Sequence, residues 1–259
     1  MEQRSAGDLA AMLNSAQPGV EKPVQNHRNF VSESLFGFWF LGTHTWERHV
    51  IQITLDDLVR LISAPREVYP VVLDAGCGQG RALHLLQSRF RPQRLIGLDA
   101  EDKALIHARK QVVRQDLDVE LMKGDCAAIA LPDNCIDLLF CHQTFHHLVH
   151  QEKALAEFNR ILKPGGLLLF AESTRAYIHT WVIRILFRHP MDVQRSADEY
   201  LAMIRRAGFV FEPRNVLLPY RWWSRTTLAG LLELCCLRRV PPPGQRQETL
   251  VFMVGVKPV

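Results

Sequence analysis

Val71-Val72-Leu73 is a short apolar run, rich in β-branched residues, that stops at Asp74 and breaks into Gly76-Cys77-Gly78-Gln79-Gly80. A run of this kind feeding a glycine turn reads as a buried strand. Ala82, Leu83, Leu86 and Phe90 then recur at helical spacing, so a helix follows with one face on a sheet. The alternation continues with strands at Arg94 to Leu98, Val119 to Met122, Ile136 to Cys141 and Leu167 to Ala171. Helices fall at Lys103 to Gln115 and around Ala154 to Leu162, and Lys163-Pro164-Gly165-Gly166 reads as a turn before the fifth strand. Strands separated by helices imply a parallel sheet covered on both faces, with right-handed crossovers.

Flanking elements are less regular. A helix beginning at Thr54-Leu55-Asp56-Asp57 ends before Pro65, and Ser196-Ala197-Asp198-Glu199 is a capping box opening a helix that Gly208 closes. Val210 to Leu218 and Thr249 to Val256 read as two closing strands, with a helix over Thr226 to Leu237 between them. The first 30 residues show little periodicity, as a terminus does that is disordered or that orders over a ligand.

With 47% apolar and 22% charged residues in 259, the chain can bury a full core. Its longest unbroken apolar stretch, Leu35 to Gly42, is too short for a membrane span, which needs roughly 18 residues. The amino terminus lacks the apolar segment of a secretory signal, so a cytoplasmic location is expected. Six cysteines form no C-x-x-C pair, which favours reduced thiols. A net charge of +4 without a clustered basic patch gives no reason to expect nucleic acid.

The glycine loop carries the chemistry. Its spacing, Asp74-x-Gly76-x-Gly78-x-Gly80, differs from the dinucleotide fingerprint G-x-G-x-x-G. Asp74 would repel a pyrophosphate and could pair with an ammonium group, which favours a cationic ligand over a nicotinamide dinucleotide. Asp99, at the end of the second strand, is placed to accept hydrogen bonds from ribose hydroxyls.

These motifs resemble the class I S-adenosylmethionine-dependent methyltransferases, particularly the ubiquinone/menaquinone-biosynthesis-like branch of small-molecule enzymes. The resemblance covers Val71 to Glu172 and includes Leu95-Ile96-Gly97-Leu98-Asp99, Gly124-Asp125-Cys126, Phe145-His146-His147-Leu148 and Arg160 to Gly166. It implies a Rossmann-like, doubly wound, mostly parallel seven-stranded sheet with an antiparallel last strand and helices on both faces. It also implies that S-adenosyl-L-methionine binds at Asp74, Gly76, Cys77, Gly78, Asp99, Ala100, Asp125, Cys126 and His142. Asp74 and the glycine loop would hold the methionine end, Asp99 the ribose, Asp125 the adenine amino group and the Cys126 backbone a ring nitrogen.

His142, near the sulfonium, and His146 and His147 are candidate catalytic residues, since a base is needed where the acceptor carries a proton. The same H-H-L sequence also reads as a cap for the next helix. No metal is expected, because no carboxylate or cysteine lies at ligand spacing around these histidines.

The expected organisation is a lid segment over 1–65 and a methyltransferase domain over 66–259 with a lid insertion at about 173–195. Leu35 to Leu41 and Tyr177 to Phe187 are candidate walls for a small-molecule methyl acceptor. From Ser173 to Arg246 there are 12 arginines and no lysine against five acids, which suits an aromatic or apolar acceptor with an anionic group. The basic apolar stretch Trp181 to Arg188 could instead rest on a membrane surface and admit a lipid-soluble, quinone-type acceptor. A non-catalytic binding or regulatory protein on the same scaffold and a nicotinamide-dependent oxidoreductase are the other readings.

Overall fold

The computed structural model describes residues 30–259. The expectation for the terminus before Phe30 lies outside the described residues.

Seven strands form one sheet in the order β3-β2-β1-β4-β5-β7-β6. The strands are β1 (Val71–Ala75), β2 (Arg94–Asp99), β3 (Val119–Lys123), β4 (Ile136–His142), β5 (Leu162–Ser173), β6 (Val216–Leu217) and β7 (Leu250–Val256). β1 to β5 run parallel, and β7 lies antiparallel between β5 and β6. This is the expected doubly wound sheet with its last strand reversed.

Side-chain alternation along β1 explains the two layers. Val72 faces a core with Leu55 and Leu58 of α2 (Gln52–Arg60) and Leu83 and Leu86 of α3 (Leu83–Phe90). Leu73 faces the other core, with Leu155 and Phe158 of α5 (Gln151–Ile161) and Tyr200 and Ile204 of α8 (Ala197–Arg206). α1 is Leu35–Leu41 and α4 is Asp102–Arg114, while α6 (Arg175–Ile178) and α7 (Trp181–Leu186) follow β5 and α9 (Leu228–Leu234) precedes β7. Burying one such leucine contributes about 2 kcal/mol, so the two layers fix which face each strand residue takes.

The capping box of α8 forms as expected: the Ser196 hydroxyl accepts from the Glu199 N–H and the Glu199 carboxylate accepts from the Ser196 N–H. Gly208 follows the helix with φ 93°.

Four expectations need correction. Lys163 to Gly166 belongs to β5, because the Gly165 N–H donates to Lys257 and the Lys257 N–H donates to Gly166, so the residue just past β7 continues the pairing into this stretch. Val210 to Leu218 is interrupted by a turn at Pro213–Asn215, where Glu212 and Asn215 cap each other, which leaves only β6 and a bridge from Val210 to Val256. α2 starts at Gln52, ahead of Thr54, continuous with a π-helical turn at Glu47–Ile51. α9 is shorter than expected, starting after the Thr227 cap and stopping at Leu234.

No helix among the described residues is long and apolar enough to cross a membrane. All six cysteines are free.

Candidate functional site

β1 lies at the centre of the sheet, between β2 and β4, where the strand order reverses and the carboxyl ends open a crevice. Gly76 takes φ 82°, and a Cβ there would meet the Thr144 side chain at 2.1 Å, so only glycine fits. The N–H groups of Gly76 and Cys77 both donate to the Leu98 carbonyl, at 2.8 and 2.9 Å, and fasten the loop to β2. Asp99 fastens it again: one carboxylate oxygen accepts from the Gly78 N–H and the other from the Glu101 N–H, at 2.8 and 2.9 Å.

The cavity above this loop is lined by every residue expected to hold the cofactor: Asp74, Gly76, Cys77, Gly78, Asp99, Ala100, Asp125, Cys126 and His142. Two observations fit a group that approaches the backbone closely and brings Asp74 a donor. A Cβ on Gly78 would meet no atom within 4 Å, so the backbone there is open to close approach. Asp74 is buried with Oδ2 unpartnered, a carboxyl awaiting a donor. Burial, and secondarily the Asp99 charge, pushes the Asp74 carboxyl up to about 8, and an ammonium group beside it would reverse that shift. Burial also raises Asp99, against the lowering effect of its backbone partners.

The three candidate catalytic histidines divide between two spaces. His142 stacks on Phe140, with ring centroids 5.7 Å apart, and tilts against Trp46 at 5.8 Å, facing the cofactor cavity. His146 faces only a second, adjoining chamber, and His147 lines both. Burial holds all three rings neutral and pushes each down to about 3. They are therefore weak bases in this setting.

The chamber shares Glu33, Leu41, Trp46, Gln143 and His147 with the cofactor cavity. Both stretches singled out as candidate walls contribute: Phe36 and Phe40 from α1, and Tyr177, Ile183, Leu186 and Phe187 from the segment after β5. Phe36, Phe40 and Phe187 pack together, with centroids 5.8 to 6.2 Å apart. Trp46, Trp222 and Trp223 also line the chamber, whereas Trp39 and Trp181 face outward.

None of the lining residues is an arginine or a lysine. Several arginines of the 173–246 region are engaged elsewhere, for example Arg175 with Glu199, Arg221 with Asp57, Arg246 with Glu248 and Arg205 over the Phe211 ring. Among the described residues, the anionic group suggested by the arginine count has no cationic partner in this wall.

Sequence reasoning missed four residues. His189 and Glu33 come from remote segments with no spacing signal. Glu172, at the end of β5, accepts from the N–H groups of Thr144 and Phe145 and contacts His146 Nδ1 at 2.6 Å. Burial pushes Glu172 up to about 7, against those backbone bonds. Gln79 was visible only as part of the glycine run; its amide donates to the Phe38 carbonyl, and Arg81 reaches the Gly42 carbonyl.

Comparison with known proteins places this geometry. Residues 73–170 match the methyltransferase-domain family. The chain is 28% identical over 207 residues to a Mycobacterium tuberculosis protein named "Probable S-adenosylmethionine-dependent methyltransferase", covering 80% of this chain and 68% of that one. It is 28% identical over 127 residues to a demethylmenaquinone methyltransferase of Thermus thermophilus, covering 49% of this chain and 53% of that one. An S-adenosylmethionine-dependent methyltransferase structure from Aquifex aeolicus shares the fold, with a TM-score of 0.59 at 19% identity over 85% of this chain and 96% of that one. Residues 73–170, with the crevice at the ends of β1, β2 and β4, thus match a methyltransferase domain, in a chain similar to proteins named as S-adenosylmethionine-dependent methyltransferases.

Proposed function

We infer that this protein transfers a methyl group to an oxygen, nitrogen or carbon atom of a small, apolar, aromatic acceptor. S-adenosylmethionine, when bound, supplies a methyl group already activated by its sulfonium charge. The chain's own task is to bind, align and keep water out. Asp74 would take the cationic amino group, Asp99 the ribose, Asp125 and the Cys126 backbone the adenine. His142, flanked by Phe140 and Trp46, would present an uncharged face beside the sulfonium.

The observation that carries this reading is the aromatic chamber that continues from the cofactor cavity across Leu41, Trp46 and His147. Residues 30–65 and 173–195 act in this reading as lid segments, because they supply most of the apolar wall. The Ser34 hydroxyl donates to the Leu186 carbonyl and joins the two.

A second reading is favoured by one further observation. Leu35 and Trp39 on α1, Trp181 and Ile185 on α7, and Trp222 present exposed apolar surface, each at least 64% exposed, on the same segments that wall the chamber. With Arg184 and Arg188 beside them, they suit a membrane surface from which a quinone-like acceptor could enter.

Calorimetry with S-adenosylhomocysteine on the full chain, followed by radiolabelled methyl transfer to a panel of phenols, quinols and indoles, tests the proposal. Binding with turnover of at least one aromatic acceptor is expected. Absence of binding, or stabilisation by NADH in its place, would overturn it, and binding without transfer to any acceptor would leave a binding protein on this scaffold.

A further inference from the structure

One cluster in the chamber wall has no task in that reading. Among the described residues, His146, His147 and His189 bring their ligand atoms within 4.8 Å of one another. Their rings converge, with centroids 4.4 Å apart for His146 and His147, 5.0 Å for His146 and His189, and 4.8 Å for His147 and His189. All three line the chamber.

Their partners decide which nitrogen each can offer. Glu172 accepts two backbone N–H groups through one oxygen, and its other oxygen lies 2.6 Å from His146 Nδ1; in its carboxylate form it takes that N–H and leaves the lone pair on Nε2. His147 Nδ1 lies 3.2 Å from the Val31 carbonyl, which can only accept, so its lone pair is also on Nε2. A carboxylate or carbonyl behind the ring is the arrangement that orients metal-binding histidines. Glu33 Oε2 stands 3.8 Å from His147 Nε2, so a carboxylate oxygen and a nitrogen lone pair face each other, an arrangement that a cation between them stabilises. The sequence offers no acid beside these histidines, but the fold brings Glu172 from β5 and Glu33 from before α1.

The backbones are held as well. The Gln194 amide donates to the carbonyls of both His146 and Pro190, at 2.8 and 2.9 Å, tying the segment that bears His189 to the one that bears His146. The Arg188 N–H donates to Glu33 at 3.0 Å.

We propose that His146, His147 and His189 bind one divalent transition-metal ion, with zinc favoured by ligand type, and that its open position faces the chamber and takes the heteroatom of the methyl acceptor. Three neutral imidazoles with one free position make the ligand set of a zinc ion that polarises a bound substrate. Ligands on a tetrahedral zinc stand about 3.3 Å apart, given a Zn–N distance of about 2.0 Å, and side-chain rotation into the chamber closes the difference. A metal there would weaken the hold of a bound hydroxyl, amine or thiol on its proton, which the Glu33 carboxylate lining both spaces would take. The acceptor role rests on the function proposed above, but metal binding does not.

The test uses the full chain freed of metal by chelator dialysis, with Zn(II) alone as titrant against a chromophoric zinc chelator and with Co(II) read by its visible absorption. One equivalent should bind with micromolar or tighter affinity and give a tetrahedral Co(II) spectrum. His189→Ala, or the more conservative His189→Asn, should weaken binding at least 100-fold while S-adenosylhomocysteine affinity stays within twofold, which shows that the variant is folded. Failure of the folded wild-type chain to take up stoichiometric metal, or equal binding by both His189 variants, overturns the proposal. Metal uptake without S-adenosylhomocysteine binding would sink the functional reading and leave the metal site standing; the reverse result would do the opposite.

Discussion

The cofactor cavity and the chamber beside it are built in opposite ways. The chemical groups of the cavity are local: they sit on the last residues of β1, β2 and β4 and on the loops that follow, where the sheet's hydrogen bonds position them, and Phe38, Leu41, Trp46 and Ile51 add an apolar wall. The chamber is apolar and collected from distant parts of the chain, with α1, the segment after β5 and the turn at Trp222–Ser224 meeting over two histidines that follow β4. One space therefore inherits its shape from backbone ladders, and the other depends on how loosely patterned segments pack. Substitutions should act most strongly on the space whose wall they change.

The sharpest separation is expected at Gly76. Gly76→Ala places a methyl group into the Thr144 side chain and forces a positive φ on a residue with a Cβ, so it should cost about 3 kcal/mol or more and abolish S-adenosylhomocysteine binding. Urea unfolding and calorimetry would measure the two losses. Retained binding would mean that the loop is not the cofactor seat.

Asp74→Asn should weaken cofactor binding roughly 100-fold, as removing one partner of a buried charge pair does, yet make the ligand-free protein more stable at alkaline pH. Asp74 is protonated in both folded and unfolded chains below pH 4. Between about 4 and 8 the unfolded chain ionises it and the folded chain does not, so its contribution to stability falls as pH rises and is lost above the folded value of about 8. The stability gap in favour of Asp74→Asn should open across that window, on the order of several kcal/mol, in denaturation curves at pH 5, 7 and 9. A gap that narrows with pH would show that Asp74 is ionised in the ligand-free fold.

Phe40→Ala removes a ring that packs against Phe36, Trp46 and Phe187, and should raise the KM for a turned-over aromatic acceptor about tenfold while cofactor affinity stays within twofold. Equal effects on both ligands would erase the distinction between the two spaces. Trp181→Ala, outside both, should lower retention on anionic lipid vesicles about threefold in a flotation assay and leave soluble-acceptor turnover unchanged.

This division also explains what could be read from the sequence. The sheet and the cofactor wall were legible because each strand is a run of apolar residues ended by a chemically distinctive one, and strand ends in such a sheet share one edge. Asp74, Gly76 and Asp99 sit together for that reason. His189 was not legible: it follows an apolar stretch with no metal-ligand spacing to any other histidine, and only the packing of α7 over α1 delivers it. The arginine surplus misled in a related way, since a count of charges carries no direction, and several of these guanidinium groups turn to acids and rings away from the chamber. Lys163 to Gly166 looked like a turn because proline and glycines usually break strands, yet Lys257 supplies partners that keep the ladder going.

The two side chains that leave the glycine loop for α1 have a further consequence. Gln79 and Arg81 grip the carbonyls at Phe38 and Gly42, so the loop that would cradle the cofactor and the helix that walls the chamber cannot shift independently. By thermodynamic reciprocity, whatever settles one raises affinity at the other by the same factor. Cofactor and acceptor would then bind cooperatively, each tightening the hold on the other.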